Sequence, residues 1–198
     1  MLPNSAIATA PVRAPCRVFP MLRHMVNPGL ELRRLQPQDA AALFAVIDAS
    51  RVSLRVWLPW VDATRKLADT EKYIAETQRE LAESRVFTCG IWSFGRLVGV
   101  IGHNRIDWAQ RIGFPAYWLA PEAEGKGIMT QCCRAVIENA FSELQLGRLL
   151  IAVANGNVRA QKIPEKLGFA KISTLRKAEW LYDHHVDHFI YSLAAPGR

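Results

Sequence analysis

The chain has 198 residues, of which 50% are hydrophobic and 22% are charged, and its formal net charge is +7. This length and composition indicate one globular domain with a sizeable core. No apolar stretch reaches the roughly 18–20 residues that a membrane-spanning helix needs. No run of clustered Lys and Arg with interleaved aromatic residues predicts a nucleic-acid-binding surface.

Residues 1–26 form a stretch rich in Pro and Ala that contains no acidic residue. The stretch weakly resembles a transit peptide, but it lacks the continuous apolar region of a signal peptide. We therefore expect either a disordered extension or a start codon placed too early, with Met21 and Met25 as later starts. The globular domain is expected to comprise residues 27–198.

The first predicted strand comprises residues 30–35, and the segment 36–39 leads from it into a helix. Residues 51–60 are rich in aromatic side chains. A long amphipathic helix is predicted over residues 69–83, because its apolar residues recur at helical spacing. The N-terminal part of the domain thus has the order strand, helix, helix.

Apolar runs predict a meander of strands over residues 86–94, 97–104 and 114–120, in which Pro115 indicates a bulge or an edge position. The remaining elements are, in order, a helix over 126–144, a strand over 148–154, a helix over 157–167 that Pro164 interrupts, and strands over 169–175 and 186–193. This order predicts an α/β (α+β) fold, in which helices cover one mixed sheet.

The cysteines are Cys16, Cys89, Cys132 and Cys133, and no CxxC spacing exists. Because neighbouring residues of a helix cannot easily pair, we expect free buried thiols in a reducing compartment, which means a cytoplasmic protein. Three histidines near the C-terminus, His184, His185 and His188, have only Asp183 and Asp187 as nearby acidic residues. Since zinc sites need ligands at characteristic spacing, no metal site is predicted.

A glycine-punctuated turn links the strand over 114–120 to the helix over 126–144. Gly125 and Gly127 allow the backbone to approach a ligand closely. The first helical turn has N–H groups without partners and a positive dipole end, so it can bind a phosphate group. A Walker loop is excluded because Gly127 follows Lys126, and a Rossmann turn because Thr130 replaces its third glycine. An ordinary strand-to-helix connection is the alternative.

Together with Asn157 and the segment 165–169, the turn resembles that of the GCN5-related N-acetyltransferase (GNAT) superfamily. The closer resemblance is to the branch that acetylates the N-terminal serine or alanine of ribosomal proteins. It spans residues 30–193, and Glu124 and Met129 depart from the superfamily's turn pattern. The resemblance implies a mostly antiparallel sheet of six or seven strands, flanked by about four helices and splayed at the cofactor site. The matching segments are residues 32–35, 54–60, 117–121, 125–130, 163–169 and 178–181.

The resemblance implies acetyl-CoA as the cofactor, with its pyrophosphate on the glycine turn and its pantetheine arm along the preceding strand. The implied cofactor-binding residues are Tyr117, Trp118, Leu119, Glu124, Gly125, Lys126, Gly127, Ile128, Met129, Thr130 and Asn157.

The resemblance places the family's glutamate base on Glu179, and a solvated glutamate at a strand end is the alternative interpretation. The family's two usual hydroxyl acids are replaced by Ala160 and Pro164. Because a thiol pKa is about 8.5, the thiolate can leave without an acid, so we expect an active, acid-independent enzyme. A degenerate protein that binds acyl-CoA without efficient transfer is the second possibility.

The acceptor pocket is predicted to involve Trp57, Trp60 and Trp180, with His103 and Asn104 at a strand end that faces it. Core packing is the alternative role of these residues. The expected acceptor is a primary amine at the N-terminus of a ribosomal or other protein. Alternatives are a polyamine, an antibiotic or an amino-acid derivative. Nucleic acid and membrane are not expected as partners, and the protein is expected to be a monomer or a homodimer.

Overall fold

The computed structural model describes residues 23–197. The predictions for Cys16 and for residues 1–22 lie outside this range. Residues 23–26, which the sequence analysis assigned to the extension, belong instead to the first strand of the sheet. The ordered sheet therefore begins before the predicted boundary at residue 27.

The described residues form one sheet of eight strands and five α-helices. The strands are β1 (Arg23–Asn27), β2 (Leu30–Arg34), β3 (Phe87–Ser93), β4 (Arg96–Asp107), β5 (Ile112–Leu119), β6 (Arg148–Ala154), β7 (Ala170–Leu181) and β8 (His184–Ala194). The helices are α1 (Ala40–Ala49), α2 (Arg51–Arg55), α3 (Leu67–Ala82), α4 (Ile128–Ser142) and α5 (Val158–Lys166). None of these helices is long and apolar enough to cross a membrane.

The strand order is β1-β2-β3-β4-β5-β6-β8-β7, and every neighbouring pair is antiparallel except β5 and β6. The mixed class and the mostly antiparallel sheet confirm the prediction. The structure contains one strand and one α-helix that were not predicted from the sequence, β1 and the short α2. Neither has a strong sequence signal, because β1 carries little apolar periodicity and α2 has only five residues.

Helices cover both faces of the sheet. Successive side chains of a strand point to opposite faces, so neighbouring apolar residues of one strand belong to different cores. In β4, Ile101 packs in one core with Cys133 and Val136 of α4. Its neighbour Val100 packs in a second core with Leu43 of α1 and Ile74 of α3. The α4 face of the sheet is therefore distinct from the α1–α3 face.

Three cysteines, Cys89, Cys132 and Cys133, are buried and are not in disulfide bonds, as predicted. Burial raises the pKa of Cys89 to about 12. These thiols are therefore protonated and unreactive near neutral pH.

The parallel pair β5–β6 is very short, and it leaves part of one edge of β5 unpaired. Its register contains only two residue pairs, Ile112 with Arg148 and Gly113 with Leu149. Beyond Gly113 the two strands diverge, so residues 114–119 have β4 on one side and no neighbouring strand of the described chain on the other. Pro115 lies in this unpaired edge segment and opposite a bulge in β4, in agreement with the predicted bulge or edge position.

The predicted position of His103 at a strand end is wrong, because β4 continues to Asp107. His103 is only 1% exposed and its ring lies beside Phe87, with 6.4 Å between centroids. Its two ring nitrogens have no hydrogen-bond partner among the described residues. Asn104 follows it as an exposed residue at the bulge. His103 is thus a buried residue on the α4 face of the sheet.

Burial lowers the pKa of His103 to about 4, whereas an unfolded histidine has a pKa of about 6.5. As the pH falls below about 6.5, this histidine becomes protonated in the unfolded chain but stays neutral in the folded chain. Protonation therefore stabilises the unfolded state, and the free energy of unfolding falls as the pH decreases from about 6.5 towards 4. We expect the free energy of unfolding to fall by about 2 kcal/mol from this residue between pH 7.5 and pH 5. Urea denaturation at both pH values measures it.

The volume-filling variant His103→Leu should lose this part of the pH dependence, whereas His185→Gln, at an exposed site, should retain it. An unchanged pH dependence in His103→Leu would contradict the assignment.

Candidate functional site

A cleft of about 810 Å³ opens where β5 and β6 diverge. Its walls come from the end of β5, the turn into α4, the loop between β6 and α5, the exposed side of α5, and α2 with the residues after it. Ten of the predicted cofactor-binding residues line it: Tyr117, Trp118, Leu119, Glu124, Gly125, Gly127, Ile128, Met129, Thr130 and Asn157. Lys126 is the exception, since it is exposed and is not part of the wall.

The glycine turn has left-handed backbone conformations at two positions, with φ of +75° at Gly125 and +73° at Gly127. A Cβ built at Gly125 would meet nothing within 4 Å, and one at Gly127 would meet only the Gln131 side chain at 3.8 Å. The glycines are therefore required by the backbone conformation and leave open space in front of the turn.

Gly127 is the N-cap of α4, and no side chain caps this helix end. The N–H groups of the first turn thus have no partner within the helix, and the positive end of the helix dipole is at the cleft. This arrangement suits an anionic group such as a phosphate.

The side chains at this end of the cleft are mainly basic. Arg159, Lys162 and Lys166 line the wall from α5. Glu124 is the acidic residue of the lining, and its carboxylate forms an ion pair with Arg159. The sequence analysis did not identify these basic residues, although their spacing of three and four residues places them on one helix face.

Asn157 has a structural role as well as a place in the cleft. It is the N-cap of α5, and its Oδ1 accepts a hydrogen bond of 3.1 Å from the N–H of Ala160. Ala160 lines the cleft and Pro164 is buried within α5. Because alanine and proline side chains have no hydroxyl, neither residue can act as an acid.

The exposed edge of β5 presents backbone groups to the cleft at residues 117–119. Tyr117 and Trp118 point to opposite faces, since Tyr117 packs on the α4 core and Trp118 on the α1–α3 core. The Tyr117 hydroxyl is buried without a hydrogen-bond partner among residues 23–197, and burial raises the pKa of Tyr117. It is therefore a neutral donor without a protein acceptor.

The tryptophans predicted for the acceptor pocket lie in three different places. Trp57 lines the cleft and reaches Gly156, where an added Cβ would lie 3.0 Å from its ring. Trp60 is outside the lining but its ring is 6.1 Å from that of Trp118. Trp180 is 56% exposed, contacts His185 edge-on and is not part of the cleft wall.

The tip of the β7–β8 hairpin is attached to α2 beside the cleft. The Tyr182 hydroxyl donates a 2.7 Å hydrogen bond to the Arg55 carbonyl, and the Arg55 guanidinium lies 4.2 Å above the Tyr182 ring. Arg55 also bonds Asp62 at 2.9 Å, and this hydrogen bond lowers the pKa of Asp62. These contacts place the hairpin next to the wall of the cleft that α2 forms.

Glu179 lies on β7 and is not part of the cleft wall. Its Oε2 is 3.3 Å from Nε2 of His188 on β8, the strand between β7 and β6. In the described chain, residues 23–197, no group of three His, Cys, Asp or Glu side chains could hold a metal ion.

Residues 29–170 match the family model described as an acetyltransferase (GNAT) domain. The chain is 35% identical over 170 residues to a putative ribosomal N-acetyltransferase of Bacillus subtilis, YdaF, which covers 85% of this chain and 92% of that protein. It is 25% identical to the ribosomal-protein-serine acetyltransferase of Escherichia coli, over 84% of this chain and 93% of that protein. The solved structure of RimL, a ribosomal α-N-protein acetyltransferase in complex with coenzyme A, is 20% identical with a TM-score of 0.84, and the alignment covers 88% of this chain and 98% of RimL.

Proposed function

The chain belongs to the GNAT acetyltransferase family, and we propose that this N-acetyltransferase moves an acetyl group from acetyl-CoA to the α-amine of a protein or peptide N-terminus. The relatives named as ribosomal-protein acetyltransferases support this acceptor class. We further propose that the protein acts in the cytoplasm, where its buried cysteine thiols remain reduced.

The observation that carries the acceptor proposal is the shortage of available carboxylates around the cleft. Glu124 pairs with Arg159 and Asp62 pairs with Arg55. Asp69 accepts the backbone N–H groups of Arg65 and Lys66 at the start of α3. A polyamine or an aminoglycoside carries several positive charges, so its binding site needs unpaired carboxylates. An N-terminal α-amine carries only one positive charge. The lining therefore favours an N-terminus.

In this proposal the cofactor half of the site binds acetyl-CoA by its anionic groups. The backbone N–H groups of Gly125 to Met129 bind the pyrophosphate at the start of α4. Arg159, Lys162 and Lys166 supply positive charge for the phosphates. The free edge of β5 at residues 117–119 offers backbone groups to the pantetheine arm, in the manner of strand addition.

In the catalytic half, Glu179, which lies outside the cleft wall, accepts a proton from the acceptor ammonium through one intervening water, and the freed amine attacks the thioester carbonyl carbon. The attacking nitrogen then loses its second proton to water, the carbon–sulfur bond breaks to leave the amide, and the thiolate takes a proton from water. An α-amine has a pKa of roughly 7.7–8.0, so Glu179 has little deprotonation to accomplish. Ala160 and Pro164 offer no acid, but a thiol pKa of about 8.5 makes the thiolate a tolerable leaving group.

A non-catalytic acyl-CoA-binding module is the second candidate. It is favoured by the same two positions, since neither Ala160 nor Pro164 can protonate the leaving group. This second candidate predicts that the protein binds the cofactor but that no amine acceptor causes release of the cofactor thiol.

Gly127→Val should weaken acetyl-CoA binding at least tenfold and leave the fold intact, because a branched side chain strains the left-handed backbone and fills the space in front of the turn. Gly95→Val is the matched control, since Gly95 has a φ of +77° and open surroundings in the β3–β4 hairpin. Isothermal titration with acetyl-CoA measures both. Equal affinity losses in the two variants would contradict the cofactor assignment.

A thiol-release assay over an amine panel tests the acceptor. We expect peptides with a free N-terminal serine or alanine to give turnover at least tenfold above spermidine and an aminoglycoside, because the cleft lacks unpaired carboxylates. N-terminally blocked peptides are the control. Preferred turnover of a polycationic amine would contradict the proposal, and acetyl-CoA binding without thiol release would favour the module.

Glu179→Gln should lower kcat for the N-terminal peptide about tenfold at pH 7, because only about a tenth of an α-amine with a pKa of roughly 7.7–8.0 is unprotonated at that pH. The deficit should shrink towards pH 9, where the α-amine has already lost its proton. Initial rates across this pH range measure the effect, with exposed Glu122→Gln as the control. A deficit of the same size at both pH values would count against a proton-abstracting role.

A further inference from the structure

The carboxylate of Glu179 has one close polar neighbour, and this neighbour is partly buried. Nε2 of His188 lies 3.3 Å from Oε2 of Glu179, and the His188 and Glu179 side chains are 15% and 27% exposed. The contact is within ion-pair distance but is not aligned as a hydrogen bond in the structure. Catalytic hydrogen bonds in enzymes without bound ligand are often long or poorly aligned and tighten when the substrate binds.

A bulge in β7 creates this contact. Leu175 pairs with His188 and Glu179 pairs with Val186, so residues 176–178 of β7 lie opposite Asp187 alone. The bulge is fixed at Lys177, which has a φ of +48° and donates its N–H to Oδ1 of Asp187 at 2.8 Å.

In a regular ladder Lys177 would occupy the position opposite Val186. The two extra residues place Glu179 there instead, on the same face as His188, because Val186 and His188 are two residues apart on β8. Bulges commonly redirect side chains next to active sites. Here the bulge places the carboxylate of Glu179 beside the imidazole of His188, at a position that the ammonium group of Lys177 would otherwise occupy.

His188 lies on β8, which is the strand between β7 and β6 in the sheet, and the end of β6 borders the cleft. It pairs with Ala154, the last residue of β6. The next residue, Asn155, donates its N–H to the Asp187 carbonyl at 2.8 Å, and Gly156 and Asn157 then line the cleft. His188 is therefore fixed to the edge of the cleft through main-chain pairing.

We propose that His188 is the positioning residue of Glu179, an inference that rests on the proposed function, in which Glu179 is the base. The Nε2–H group of His188 holds Oε2, so that Oε1 is left to form the new O–H bond. The N–H bond of the acceptor ammonium breaks and its electron pair remains on nitrogen for the attack. Glu179 then returns the proton to water.

Double-mutant kinetics test this proposal with an N-terminal serine peptide as acceptor. The set comprises His188→Ala, His188→Gln, Glu179→Gln and the double variant His188→Ala/Glu179→Gln. His185→Ala is the matched control, because His185 lies on the same hairpin but contacts Trp180 instead of Glu179. The readouts are kcat, KM for the peptide, and acetyl-CoA affinity by titration.

We expect His188→Ala to lower kcat about tenfold, which is no more than the loss expected for Glu179→Gln because His188 acts through that base, and to leave acetyl-CoA affinity unchanged. His188→Gln retains an N–H donor and should recover kcat to within about threefold of wild type. In the Glu179→Gln background, His188→Ala should cause no further loss, because residues that act as a unit are not additive. Where His188→Ala does not bind acetyl-CoA, the volume-filling His188→Leu replaces it.

A further loss of kcat in the double variant would overturn the proposal, since His188 would then act independently of Glu179. Equal kcat in His188→Gln and His188→Ala would also overturn it. Wild-type kcat in Glu179→Gln would refute the base itself and this inference with it. If only a small amine is turned over, the acceptor proposal fails, but the same cycle measured on that amine still tests the pair.

Discussion

The architecture of the site depends on one constraint, which is that β5 and β6 pair over only two residues. A longer parallel ladder would occupy the edge of β5 and close the sheet. Because the strands diverge instead, backbone groups at residues 117–119 face a cleft. The turn into α4 and the loop into α5 both start at the open end of the sheet. Ligands of open α/β sheets bind at the carboxyl ends of strands for the same reason.

The two halves of the site differ in how they are built. Main-chain geometry forms the proposed cofactor half: two left-handed glycines, an uncapped helix end and a free strand edge. Side chains from separate elements form the proposed acceptor half, in which α2 and the β7–β8 hairpin are joined by Tyr182 and Arg55. The first half needs little from particular side chains, whereas the second depends on long-range contacts between residues far apart in the sequence.

This difference explains what the sequence could predict. Gly125, Gly127 and Asn157 have local conformational signatures, so their places in the turn and at a helix N-cap could be inferred without a structure. His103 could not be placed, because its burial depends on the length of β4 and on packing against distant Phe87. The bulge at 176–178 also has no local signal, since the register between β7 and β8 comes from long-range pairing. The contact between Glu179 and His188 was therefore not predictable.

The bulge has a second consequence, for how the molecule behaves at high concentration. β7 is an edge strand of 12 residues, with Ile172 and Leu175 about half exposed. A straight edge of this length is a template on which another chain can add a strand. The extra residues interrupt its regular hydrogen-bonding pattern, and Arg176 and Lys177 place positive charge at the interruption. The irregularity that redirects a carboxylate thus also guards the sheet against edge-to-edge aggregation.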